Sequence, residues 1–160
     1  MMLMFFIENM TAKEAKKQIG ERLNPIKLFC KRWHVGVRYE KQEIIAEEVT
    51  AQIQELIELL DLQEDDKLKL RAKKFRQFQF DFNLFLTSIN KLKTLDRALL
   101  YHGLFKDATQ VELTETDVIL DLLEVESISQ PKISSLYQEA CFELLNWIIY
   151  NEAKAVKYAT

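Results

Sequence analysis

Six apolar residues, Phe75, Phe78, Phe82, Phe85, Ile89 and Leu92, follow one another at steps of three and four. That spacing holds them on one face of a helix across eighteen residues. Phe78, Phe80 and Phe82 alternate as a strand would, but only over five residues. The longer period predicts a helix over about 67–91 with a heptad-like apolar stripe. Such a stripe must be covered, either by other helices of the same chain or by a second copy. Leu86 and Phe80 lie off it, so this helix is expected to meet partners on more than one side.

The rest of the chain agrees with a helical fold. Only 3 Gly and 2 Pro occur in 160 residues, too little turn chemistry for a many-stranded protein. A hydrophobic content of 48% supports a real core and excludes global disorder. The expected class is all-α, as one domain or two small ones. Cys30 and Cys141 lie far apart and fit no CxxC pattern, which suits a reduced cytoplasmic setting. Residues 1–10 begin with a seven-residue apolar run, Met1 to Ile7. It is too short to span a bilayer and lacks a signal peptide's basic start. It reads either as a segment docking on the core or as an early start with Met10 as the true one. No membrane association is expected.

Punctuation along the chain predicts the other helices. Thr11 caps the first, with Glu14 three residues on, and Ala15, Ile19 and Leu23 share a face. Asn24-Pro25 interrupts that helix or restarts it, and Ile26, Phe29 and Trp33 continue the apolar face. Val35-Gly-Val37 reads as a loop or bend. Residues 41–62 read as the clearest helix, on Ile45, Val49, Ile53, Leu56 and Leu60. Gln63 to Asp66 breaks it, and Asp65 or Asp66 caps the next. Thr94 is expected to cap a short helix that Gly103 ends, and Lys106 to Gln110 to form a loop. Thr114 is expected to cap another, with Ile119, Leu122 and Leu123 inward. A last helix runs from about Pro131 to Asn151, with Ile133, Leu136, Ala140, Leu144 and Trp147 on one face. The tail, 152–160, is expected to fray.

Charge is arranged in blocks. Residues 13–41 hold nine basic and three acidic groups, and residues 42–66 hold nine acidic and no basic groups. Residues 67–97 hold nine basic and two acidic, and residues 98–160 hold four basic and ten acidic. Either the basic and acidic helices pair with each other, or the basic ones meet anions outside the chain. Catalytic chemistry is poorly represented. There is no Gly-rich phosphate loop, no GxSxG and no HExxH. Cys30 and His34 stand at i, i+4, but no second ligand pair accompanies them for a closed zinc site. Neither an enzyme nor a cofactor or metal is expected.

Within 86–147 three stretches form a pattern. Leu92-Lys-Thr-Leu-Asp-Arg-Ala-Leu-Leu-Tyr101 resembles the opening of region 4 of bacterial sigma factors. Thr114-Glu-Thr-Asp-Val-Ile-Leu-Asp-Leu-Leu123 is similar to the first helix of that region's helix-turn-helix, and Ile128 to Ala140 to the start of its recognition helix. The layout most resembles the ArpU family, autolysin regulators and late-gene activators of phages of Gram-positive bacteria. The resemblance covers about sixty residues at the C-terminal end. It implies a helical N-terminal region, 11–91, followed by a sigma region 4-like helix-turn-helix at 92–151.

What the resemblance implies about function is a phage-type activator of late genes, bound to double-stranded promoter DNA in the host cytoplasm. The base-reading positions would be Gln130, Lys132, Ser134, Ser135 and Gln138, off the apolar stripe of the last helix. Gln and Ser can bond base edges. That helix carries a single lysine before Asn151, and the turn before it is longer than a tight helix-turn-helix turn. Phosphate contacts are therefore assigned to Lys67, Lys69, Arg71, Lys73, Lys74 and Arg76, with Lys91, Lys93 and Arg97 nearby in sequence. The alternative is a regulator that docks on RNA polymerase, a sigma factor or a repressor and binds little DNA. There the acidic helix and the Phe stripe would serve as docking or dimer surfaces.

Overall fold

The computed structural model describes residues 10–159, with side chains described through residue 155. The apolar run from Met1 to Ile7 lies outside the described residues. Helix α1 spans Ala12–Trp33. The Thr11 hydroxyl accepts from the Glu14 amide at 3.1 Å, as the sequence predicts. Ala15, Ile19, Leu23, Ile26 and Phe29 are all buried. Pro25 sits inside the helix and neither ends nor restarts it. It is exposed, while Leu23 and Ile26 on either side are anchored in the core. That burial outweighs the cost of about 3 kcal/mol for a proline in a helix interior. His34 closes α1 in the left-handed region, φ 54°.

The expected helix over 41–62 is a correction. Its first third is a hairpin, β1 (Arg38–Glu40) and β2 (Glu43–Ile45), and helix α2 spans only Glu47–Asp61. The strands are antiparallel, with Tyr39 opposite Ile44. Lys41 and Gln42 form the two-residue turn at φ 50° and 66°. Distant residues hold this turn in place. The Asn90 side chain accepts from the Ile44 amide at 3.3 Å and donates to its carbonyl at 3.4 Å. Arg97 Nε donates to the Gln42 carbonyl at 2.8 Å. Ile45, assigned to the helix stripe, therefore lies in a strand, while Val49 and Ile53 are fully buried on α2.

Helix α3 spans Asp66–Ile89 and is capped by Asp65, whose carboxylate accepts from the Lys67 amide at 2.7 Å. The Phe stripe packs within the chain. Phe82, Phe85, Ile89 and Leu92 are buried, and Phe75 and Phe78 meet Phe29 at ring separations of 6.4 and 5.2 Å. Helix α4 spans Thr94–Leu100, with Lys93 as its N-cap. Thr94 is thus its first residue rather than its cap, and its hydroxyl accepts from Arg97. Gly103 does not stop the chain either. It lies inside a π-helical turn, Tyr101–Phe105, with the Tyr137 ring packed against it.

Three further helices complete the fold among the described residues: α5 (Gln110–Thr114), α6 (Asp117–Leu123) and α7 (Gln130–Ala159). A capping box of Thr109 and Glu112 starts α5. Thr114, the expected cap of the next helix, is instead the last residue of α5. Thr116 holds the N-cap position of α6 without a side-chain capping bond, with Ile119 fully buried and Leu122 and Leu123 half-buried. Helix α7 continues past Asn151 to Ala159. Asn151 donates to the Ser88 hydroxyl at 2.9 Å, and Arg22 pairs with Glu152 at 2.6 Å, so this turn is tied to α3 and α1. Helix α7 packs on α1, α3, α4 and α5, while α6 packs on α4 and α5. One buried cluster runs from Ala15 to Ile148 and includes both Ile89 and Leu92, so the expected regions 11–91 and 92–151 share it. The fold is essentially all-helical, as its composition predicts, with one short hairpin added.

Candidate nucleic-acid interface

Helix α6 ends at Glu124 in the left-handed region, φ 57°. The chain then crosses to Ser129, whose hydroxyl accepts from the Lys132 amide at 3.3 Å and whose carbonyl takes the Ile133 amide at 3.1 Å. Ser129 therefore caps α7, and Pro131 sits in the first turn, where a missing amide costs nothing. Ile133, Tyr137, Ala140 and Cys141 face inward and are buried. Burial pushes the Cys141 thiol up to about 12. The opposite face belongs to the expected base-reading set. Gln130, Lys132 and Ser135 are exposed, while Ser134 and Gln138 are half-buried.

Further along α7, carboxylates and lysines gather between it and α4. Asp96 of α4 is buried and shares a cavity with Lys91, Lys93, Glu139, Glu143 and Trp147. Burial raises its carboxyl to about 6; Lys93 opposes the rise, and Glu143 and Glu139 add to it. Lys91 and Lys93 are exposed beside it, while Arg97 is bound to the backbone of Gln42 and Leu92. So two of the three extra cations remain open to an incoming anion.

The expected phosphate set lies elsewhere. Lys67, Lys69, Arg71, Lys73, Lys74 and Arg76 are all exposed on the first half of α3. Arg76 pairs with Asp61, and the other five make no ion pair among the described residues. Helices α3 and α7 join at Ser88 and Asn151. At 1.5 Å per residue, Arg76 and Gln138 each lie ~20 Å along their helix from that joint. Phe80 and Asn83 of α3 share a cleft with Lys154 and Ala155 of α7, so the two helices run antiparallel past the joint and the two sets lie on opposite sides of it, not side by side.

Two features escaped sequence reasoning. One is the hairpin, whose turn is fixed by Asn90 and Arg97. The other is an open apolar groove between α1, α2 and the basic half of α3. Its one signal in the sequence was the surplus of leucines off the helix stripes, such as Leu28 and Leu59. No helix of the described residues is long and apolar enough to cross a membrane. No protein-family model, no curated protein and no solved structure matches the chain.

Proposed function

We propose that the chain is a transcription regulator of the phage late-activator type. The start of α7 reads promoter DNA, and the cations of α3 supply part of the backbone attraction. The observation that carries this reading is the start of α7. Its polar face, with Gln130, Lys132 and Ser135 exposed, stands clear of a core made with α4 and α5. Gln can bond adenine bidentately in the major groove, and the positive end of the helix dipole at the start of α7 suits a phosphate. One lysine cannot anchor a duplex alone, so added cations are required.

Filter binding across a salt series tests the reading. Replacing Lys69, Lys73 and Arg76 by Ala should flatten the dependence of log K on log salt by ~1 for each phosphate no longer neutralised. Replacing Gln130 and Ser135 by Ala should leave the slope alone and relax sequence preference. An unchanged slope in the first variant removes α3 from the interface. A gel shift that appears only with RNA polymerase present would favour the protein-docking regulator instead.

A further inference from the structure

A concave apolar surface lies between the C-terminal half of α1, the end of α2 and the start of α3. It is an open groove of about 780 Å³. Phe29, Phe75 and Phe78 form its floor, with Phe29 in ring contact with the other two. Leu28 and Leu59 line it while 59% and 53% exposed, an unusual state for leucines in a continuous apolar surface. Arg32, Arg71 and Lys74 also line it, and no carboxylate does. None of these three cations has an ion pair among the described residues; Arg32 lies over the Trp33 ring, 5.8 Å from its centroid. Asp61, on the neighbouring edge, is already paired with Arg76.

We propose that this groove docks an amphipathic helix of a partner protein, with apolar anchors at i, i+3/i+4 and i+7 and acidic residues flanking them. Helices laid in apolar grooves are read through that anchor spacing. The charges select the flanks: Arg71 and Lys74 stand one turn apart on α3, and Arg32 lies on α1. Cations on two helices suit carboxylates spaced along a helix better than the single carboxylate of a fatty acid. A guanidinium on each of those helices offers bidentate bonds to Glu or Asp. This inference does not rest on the DNA reading: its apolar anchors and Arg32 lie outside the expected DNA-contact set, and of that set it uses only Arg71 and Lys74.

The groove holds its own reporter. Trp33 lines it, and the second tryptophan, Trp147, lies elsewhere and can be replaced by Phe. In that background a synthetic amphipathic helix of about five turns, with Leu anchors and Glu flanks, should shift Trp33 emission saturably. The same peptide with Lys flanks should not. R32Q combined with R71Q should weaken the Glu peptide at least ~10-fold, the equivalent of 1.4 kcal/mol. L28S and L59S, at exposed positions, should weaken it while leaving circular dichroism unchanged. The proposal is overturned if both peptides bind equally or neither binds. It is overturned as well if dodecanoate binds in preference to the Glu peptide. Self-association abolished by L59S would make a second copy the occupant and also overturn it. Salt-dependent DNA binding, measured in parallel, is expected to be unaffected by L28S and L59S.

Discussion

Replacing Asp96 by Asn should make the protein more stable at neutral pH, and the gain should vanish in acid. Asp96 is only 6% exposed, in the first turn of α4. Burial is the main cause of its raised carboxyl pKa, from 3.8 to about 6, with Glu143 and Glu139 of α7 adding to it and Lys93 opposing. A raised folded-state pKa means the fold prefers the protonated form. That contribution is fully present below pH 3.8 and is lost as pH rises through about 6. A shift of two units corresponds to about 3 kcal/mol that the ionised side chain costs above that window. Asn has the same shape and no charge. D96N should therefore recover about 1–3 kcal/mol at pH 7.5, a rise in Tm of roughly 3–10 °C for a chain of this size. Urea unfolding at steps from pH 4 to pH 8 measures it, with the m-value as a check that two-state behaviour persists. The wild type should lose stability relative to D96N between pH 4 and pH 7. E139Q should reduce the difference, since it removes one of the facing carboxylates. If D96N is less stable at pH 7.5, or if the gap does not change with pH, the ionised Asp96 is stabilised by the start of α4 and the reasoning fails.

Two glycines give opposite outcomes for one chemical change. G20A, at an exposed position inside α1 with open space around the new methyl, should stabilise by ~1 kcal/mol in urea unfolding. G103A should destabilise by about 1–3 kcal/mol, because the added carbon would collide with the buried Tyr137 ring. N90A removes both side-chain bonds to Ile44. It should cost about 1–2 kcal/mol and raise amide exchange in residues 38–45 more than in α1 or α7.

Long apolar stripes were legible because burial enforces them. Ala15, Ile19 and Leu23 on α1, and Phe82, Phe85 and Ile89 on α3, are all buried where the period puts them. Short elements were not. The turn at Lys41-Gln42 contains neither Gly nor Asn, the usual residues for a positive φ, so nothing local announces it. Its stabilisers, Asn90 and Arg97, are about fifty residues away. Thr109-Gln-Val-Glu112 is a capping box in plain sight, but it opens a helix of five residues, too short to show a period. Gly103 carries a helix-stop signal that packing of Tyr137 overrides. At the candidate interface, exposure of Gln130, Lys132 and Ser135 followed from the stripe of Ile133 and Ala140. The half-burial of Ser134 and Gln138 did not, since it depends on the neighbours of α7.

The charge blocks offered two readings, mutual pairing of helices or attraction of an outside anion. Acidic α2 and basic α3 do pack together. Yet among the described residues one ion pair, Arg76 with Asp61, joins them, beside a Gln79–Gln54 hydrogen bond. Exposed pairs of that kind contribute only ~0–1 kcal/mol. The contact is held by Val49, Ile53, Ala72 and Phe82, all fully buried, so self-pairing does not account for the basic block. Helical spacing divides what remains. Lys67, Arg71 and Lys74 recur at i, i+4 and i+7, in line with Phe78, and two of them edge the groove. Lys69, Lys73 and Arg76 recur in the same way on the opposite side. The two surfaces can thus be tested apart. Alanine at Lys69 and Lys73 should flatten the salt slope on DNA and spare peptide binding, whereas Gln at Arg71 and Lys74 should do the reverse. If either pair of substitutions lowers both activities equally, the two faces act as one anion-binding surface and the division is wrong.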